Sequence, residues 1–134
     1  MELSKQVVSL ELAKRLKELG VKQDSLWYWQ NYFKEEEEDR EMWNILSKNE
    51  IESKGYLFGK FYSAYTVAEL GEMLPDWVDF TQKHYNSTSK KTWYRCYTKE
   101  GMMWVDEENE ADARAKMLIY LIENKLAEEE DFAR

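Results

Sequence analysis

Residues 77–98, WVDFTQKHYNSTSKKTWYRCYT, form the stretch on which the fold reading turns. Two runs rich in aromatic and β-branched side chains, 77–85 and 92–98, flank Asn86-Ser87-Thr88-Ser89. Strand formers around turn formers in that order read as a β-hairpin. A short run at 102–105 pairs back across Lys99-Glu100-Gly101 as a further strand. Towards the amino terminus, 56–62 and 26–33 read as strands too, the former with Gly59 marking a bulge or a close approach. In the latter, Trp27, Trp29 and Phe33 share one parity and Tyr28 and Tyr32 the other, so both faces should be at least partly covered.

Helices complete the pattern. Leu12, Ala13, Leu16 and Leu19 recur at helical spacing over 10–19, with Ser9 as cap and Gly20 at the left-handed terminating position. Thr66-Val67-Ala68-Glu69 is a capping box, and Pro75 stops the short helix 67–73 that it starts. Ala111, Ala115, Leu118 and Ile122 form the clearest apolar stripe, preceded by Asp106, Glu107, Glu108 and Glu110, which suit the dipole of a helix start. Residues 34–54 include the acid block 35–39 and read as a connection of marginal structure, anchored by Met42, Trp43, Ile45 and Leu46. The expected fold is α+β, one antiparallel sheet of about four to five strands packed with two or three helices. It occupies a single domain, 1–127, followed by an acidic, flexible tail, 128–134.

A chain of 134 residues can bury one core without disulfides or a structural metal. With 15% aromatic residues, that core is built largely from rings, and some rings are left over for a surface. Cys96 is the only cysteine, which removes an intramolecular disulfide and a cysteine-based zinc site and suits a reducing cytoplasm. No apolar run reaches the roughly 18–20 residues of a membrane span, and Met1-Glu2-Leu3-Ser4-Lys5 lacks the layout of a signal peptide. A formal net charge of −8 argues against general nucleic-acid binding, which needs an extended basic face.

Against that acidity, residues 80–99 carry Lys83, Lys90, Lys91, Arg95 and Lys99 without one Asp or Glu, interleaved with Phe80, Tyr85, Trp93, Tyr94 and Tyr97. Cations among flat rings suit a small anionic ligand whose phosphates meet the charges and whose bases stack on the rings. In a hairpin, Trp93, Arg95, Tyr97 and Lys99 share one face. Those four, with Lys83, Lys91 and Tyr94, are the candidate ligand residues, and Trp27, Trp29 and Tyr62 are candidate stacking platforms. The competing reading makes Trp93 and Tyr97 core, with Arg95 snorkelling past them.

Catalysis finds less support. His84 is the only histidine, its partner would have to be Cys96 or a serine, and no segment resembles a nucleophile elbow. The five glycines are dispersed, so there is no phosphate-cradling loop. The acidic clusters 35–39 and 106–112 lack the glycine and alternating ligands of a calcium loop. The expectation is a non-enzyme with no cofactor and no metal.

Three blocks, ELAKRLKELGVKQDSLWYW at 11–29, YTVAELGEMLP at 65–75 and DARAKMLIYLIENKL at 112–126, resemble small proteins of bacteriophages and prophages, similar to the phage ABA-sandwich domain. The resemblance implies a phage origin and an α+β fold, and carries no catalytic motif. Together with the missing catalytic set, the phage setting it implies leads to the expectation of a non-enzymatic accessory protein acting in the host cell cytoplasm, with counter-defence as its use and, from the cations and rings of 80–99, sequestration of a nucleotide-like ligand as its means. One alternative is an inhibitor that uses the acid clusters to block a basic host defence protein such as a nuclease. Another is a virion or assembly component. The surplus of rings and the final amphipathic helix suit a homo-oligomer, and nothing suggests a membrane partner.

Overall fold

The computed structural model describes residues 2–31, 43–54, 61–98, 101 and 103–133. Within them a single 3-10 turn, Leu3–Lys5, is followed by α1 (Leu10–Glu18), β1 (Trp27–Asn31), β2 (Trp43–Ser47), α2 (Lys48–Lys54) and β3 (Phe61–Ser63). The order continues with α3 (Val67–Met73), β4 (Val78–Asn86), β5 (Lys91–Thr98), β6 (Trp104–Glu107), α4 (Glu110–Glu123) and α5 (Glu129–Phe132).

The expectation of one sheet is overturned: among the described residues two separate three-stranded antiparallel sheets form, in the orders β2-β1-β3 and β4-β5-β6, with five α-helices where two or three were expected. The physical reason lies just after β3. Ala64 N–H still extends the ladder to Trp27 O, but then Val8 N–H donates to Tyr65 O and Val7 bridges to Thr66. The amino-terminal arm therefore takes up the backbone that β4 would have needed. At Thr66 the capping box turns the chain into α3, with the Thr66 side chain accepting from Glu69 N–H and the Glu69 carboxylate accepting from Thr66 N–H. The chain then leaves through Pro75 and begins β4 elsewhere.

The described part of the 34–54 connection, 43–54, carries more regular structure than expected. Its described part holds β2, paired along the length of β1 from Trp27↔Ser47 to Asn31↔Trp43, and then α2. Ser47 starts that helix by accepting from Glu50 N–H and donating to the Glu50 carboxylate. Expectations for 32–33, for 56–60 with Gly59 and for the acid block 35–39 lie outside the described residues.

Helix α4 is the hub. It is apolar around most of its circumference, as a helix packed on both sides must be. Ala111, Ala115, Leu118 and Ile119 join Leu16, Tyr65, Leu70, Met73 and Phe132 in the larger core cluster. Ala113, Met117 and Leu121 face the second sheet, against Cys96, Tyr94 and Val105. On that side the small Ala113 and the unbranched Met117 are both fully buried. In the terminal segment expected as a flexible tail, Phe132 is 5% exposed and its carbonyl accepts from Lys22 N–H. Among the described residues no helix is long and apolar enough to cross a membrane.

Candidate ligand-binding cleft

The antiparallel register assigns faces to the candidate residues. Gln82, His84, Trp93, Arg95, Tyr97, Trp104 and Asp106 fall on the outer face of the second sheet. Thr81, Lys83, Tyr94, Cys96, Val105 and Glu107 fall on the face turned towards α4. The candidate set is thus divided between two faces.

On the outer face Arg95 is already engaged. Its Nε and Nη2 donate to the two Asp106 carboxylate oxygens at 2.7 and 2.9 Å, and the guanidinium lies 5.1 Å from the Trp104 ring centre. This bidentate pair holds the Asp106 carboxyl below the usual carboxylate range and raises the Arg95 pKa. Tyr97 OH meets Gln82 Oε1 at 3.2 Å and His84 Nε2 at 3.3 Å, and the His84 ring stacks on Trp93 at 5.2 Å and 14°. An anion here would have to displace Asp106 from a fork that fits it. Lys99 lies outside the described residues.

The remaining candidates meet elsewhere. Lys83 and Tyr94, from the face turned towards α4, line an open cleft of about 1250 Å³ between the second sheet and the amino-terminal half of the molecule, and Lys91 and Trp93, of the outer-face parity, border it at the strand edge. Lys83 and Tyr94 are register partners, so they enter it together from adjacent strands. The last β5–β6 pair is Tyr94↔Glu107, after which β6 ends and the chain enters α4. Beyond that point β5 has no strand partner on this side among the described residues, and its edge at 91–93 borders the cleft.

The opposite wall is built from segments far away in sequence. Lys5 and Gln6 come from the amino-terminal arm, Trp27 from the start of β1, and Thr66, Val67 and Ala68 from the entry to α3. Glu108, Asn109 and Glu110 at the start of α4 also line the cleft. Asn109 is occupied as the helix cap, accepting from Asp112 N–H at 2.7 Å, and Glu110 is paired with Arg114 at 3.6 Å. Lys5, Lys83 and Lys91 carry no ion pair among the described residues. In a protein of net charge −8, three lysines without ion pairs among the described residues thus contribute to the lining of one concavity.

Sequence reasoning found the cations of the hairpin and named Trp27 as a platform, but missed Lys5. No local signal marks that residue. Only the bridge of Val7 to Thr66, across the whole first half of the chain, brings it to the site. Of the other two platforms, Trp29 donates its ring N–H to Val8 O at 2.8 Å, and Tyr62 lies 5.7 Å from Trp43 under the Lys14 and Lys17 ammonium groups. Both are committed to packing.

The described acids of the 106–112 cluster are largely spent within the fold. Asp106 is held by Arg95, Glu107 by Lys116 at 3.1 Å and Glu110 by Arg114, while Asp112 accepts from Ser9 N–H at 2.7 Å. Cys96 is buried, and burial pushes its thiol pKa up, the opposite of an activated nucleophile. Among the described residues, no group of three or more His, Cys, Asp or Glu side chains is placed to hold a metal ion. No family model matches this chain, and no curated protein or solved structure matches it.

Proposed function

We propose that the protein binds a small anionic, nucleotide-like ligand in the cleft between the hairpin and the amino-terminal arm. The carrying observation is that Lys5, Lys83 and Lys91, all without ion pairs among the described residues, line it beside Trp27 and Tyr94. Ammonium groups attract phosphate, ring faces accept bases, and a concave site of this size can desolvate both. The role is holding rather than turnover, and sequestration of a signalling nucleotide in the service of counter-defence is the use that the phage resemblance suggests.

A thermal-shift panel of mono- and dinucleotides tests this reading. A ligand at a hundredfold excess over its Kd adds about 2.7 kcal/mol to folding stability, which raises the melting temperature by several degrees. The rise should shrink with added salt and disappear in the Lys83→Gln, Lys91→Gln double variant. A panel in which no nucleotide shifts the melting temperature overturns the reading.

The inhibitor alternative draws no support from the 106–112 cluster, whose carboxylates are mostly paired internally.

A further inference from the structure

The cleft is larger than a single nucleotide needs. Its volume of about 1250 Å³ exceeds the roughly 300–1,000 Å³ that encloses a drug-sized ligand. Its chemistry is also doubled. One wall offers Lys5 with Trp27, and the other offers Lys83 with its register partner Tyr94, with Lys91 close along the same hairpin. Each wall therefore contributes a lysine and an aromatic residue to the lining, and Tyr94, partly buried against α4, has the rest of its side chain for a ligand. The walls come from different sheets, so one planar base cannot use both rings without spanning the gap between them.

Charge narrows the ligand further. Glu110 is neutralised by Arg114, which leaves Glu108 as the one unpaired carboxylate among the lining residues against the three lysines. The cleft thus presents two net positive charges. A ligand with two singly charged phosphates matches that count.

Resting on the cleft reading above, we infer that the ligand is a dinucleotide: two bases, one on Trp27 and one on Tyr94, joined through two singly charged phosphates that meet Lys5 and Lys83. Cyclic and linear dinucleotides share this chemistry. A cyclic one holds its bases at a fixed separation and loses less conformational freedom on binding.

Calorimetric titration of the whole protein separates the possibilities. The ligands are adenosine and guanosine monophosphate, a cyclic 3′,5′-linked purine dinucleotide, a linear dinucleotide of the same bases, and nicotinamide adenine dinucleotide. At least one dinucleotide should bind about tenfold or more tighter than either monophosphate. Lys5→Gln, an exposed change on the arm, should weaken that dinucleotide about tenfold and a monophosphate less than threefold, since a monophosphate can use the hairpin station alone. Trp27→Phe, which keeps an aromatic in β1, should weaken the dinucleotide in the same sense. Monophosphates that bind as tightly as every dinucleotide, or a Lys5→Gln variant with undiminished dinucleotide affinity, would overturn the two-station inference and leave the cleft reading standing. If no ligand of either size binds, both fall.

Discussion

The Arg114 guanidinium lies across Gly71, in the space that a Cβ at position 71 would occupy. From there its Nε donates to Thr81 Oγ1, its Nη1 donates to Val67 O and its Nη2 pairs with Glu110. One side chain thus ties α3, α4 and β4 together beside the cleft, from a placement that a side chain at residue 71 would displace.

This arrangement predicts a change of sign. Gly71→Ala improves helix propensity by up to ~1 kcal/mol but displaces Arg114 from contacts worth ~0.5–1.5 kcal/mol each. In the native background the net effect should be a loss of ~1 kcal/mol, read by urea denaturation. In an Arg114→Ala background the same change should stabilise by ~0.5–1 kcal/mol. Equal effects in the two backgrounds would show that Arg114 is not what constrains position 71.

Phe132 predicts that the last segment contributes to the fold. Its ring is 5% exposed within the larger core cluster, although it follows a run of four acids. Phe132→Ala should cost ~3–5 kcal/mol, the usual range for emptying a buried aromatic site. An urea midpoint within error of the native protein would place the segment outside the cooperative unit.

Asp112 predicts a pH dependence opposite to that of most carboxylates. Burial raises its pKa, although Ser9 N–H and the Asn109 side chain donate to it. The folded state therefore holds this proton more tightly than the unfolded state does. The stabilisation is full below the ordinary value of about 4 and is lost as pH rises through the raised folded value. Relative to Asp112→Asn, which cannot titrate, the native protein should lose melting temperature as pH rises across that window. Parallel curves for the two proteins would contradict the shift.

Arg95 and Lys83 predict a clean separation of roles, although both lie in the same acid-free stretch. Lys83→Gln should weaken nucleotide binding about tenfold, the equivalent of one charge-assisted hydrogen bond. Arg95→Gln should change affinity less than twofold, because its donors already serve Asp106. A larger effect at Arg95 than at Lys83 would move the site to the outer face of the sheet.

Local signals were legible and distant ones were not. The capping box at Thr66, the stop at Pro75, the stripe of α4 and the hairpin around Asn86-Ser87-Thr88-Ser89 are each written within a few residues. Ser47-Lys48-Asn49-Glu50 carries the same capping signature as Thr66-Val67-Ala68-Glu69 and could have located α2, but the neighbouring acid block drew the reading towards solvent. The division into two sheets has no such local mark. It depends on Val7 and Val8 claiming the backbone after β3, a competition between segments that strand propensity does not register. The candidate site shows the same limit. The cations of the hairpin were visible, yet that Arg95 is engaged depended on Asp106, which the fold places opposite it through β6.

Because the backbone ladders of the described strands end within their own sheets, each sheet can exchange its amide hydrogens by a separate opening. A molecule held between Lys5 and Lys83 would act as a strut across that division. Its binding would then slow amide exchange in β1 and β5 together, making one mechanical body of two.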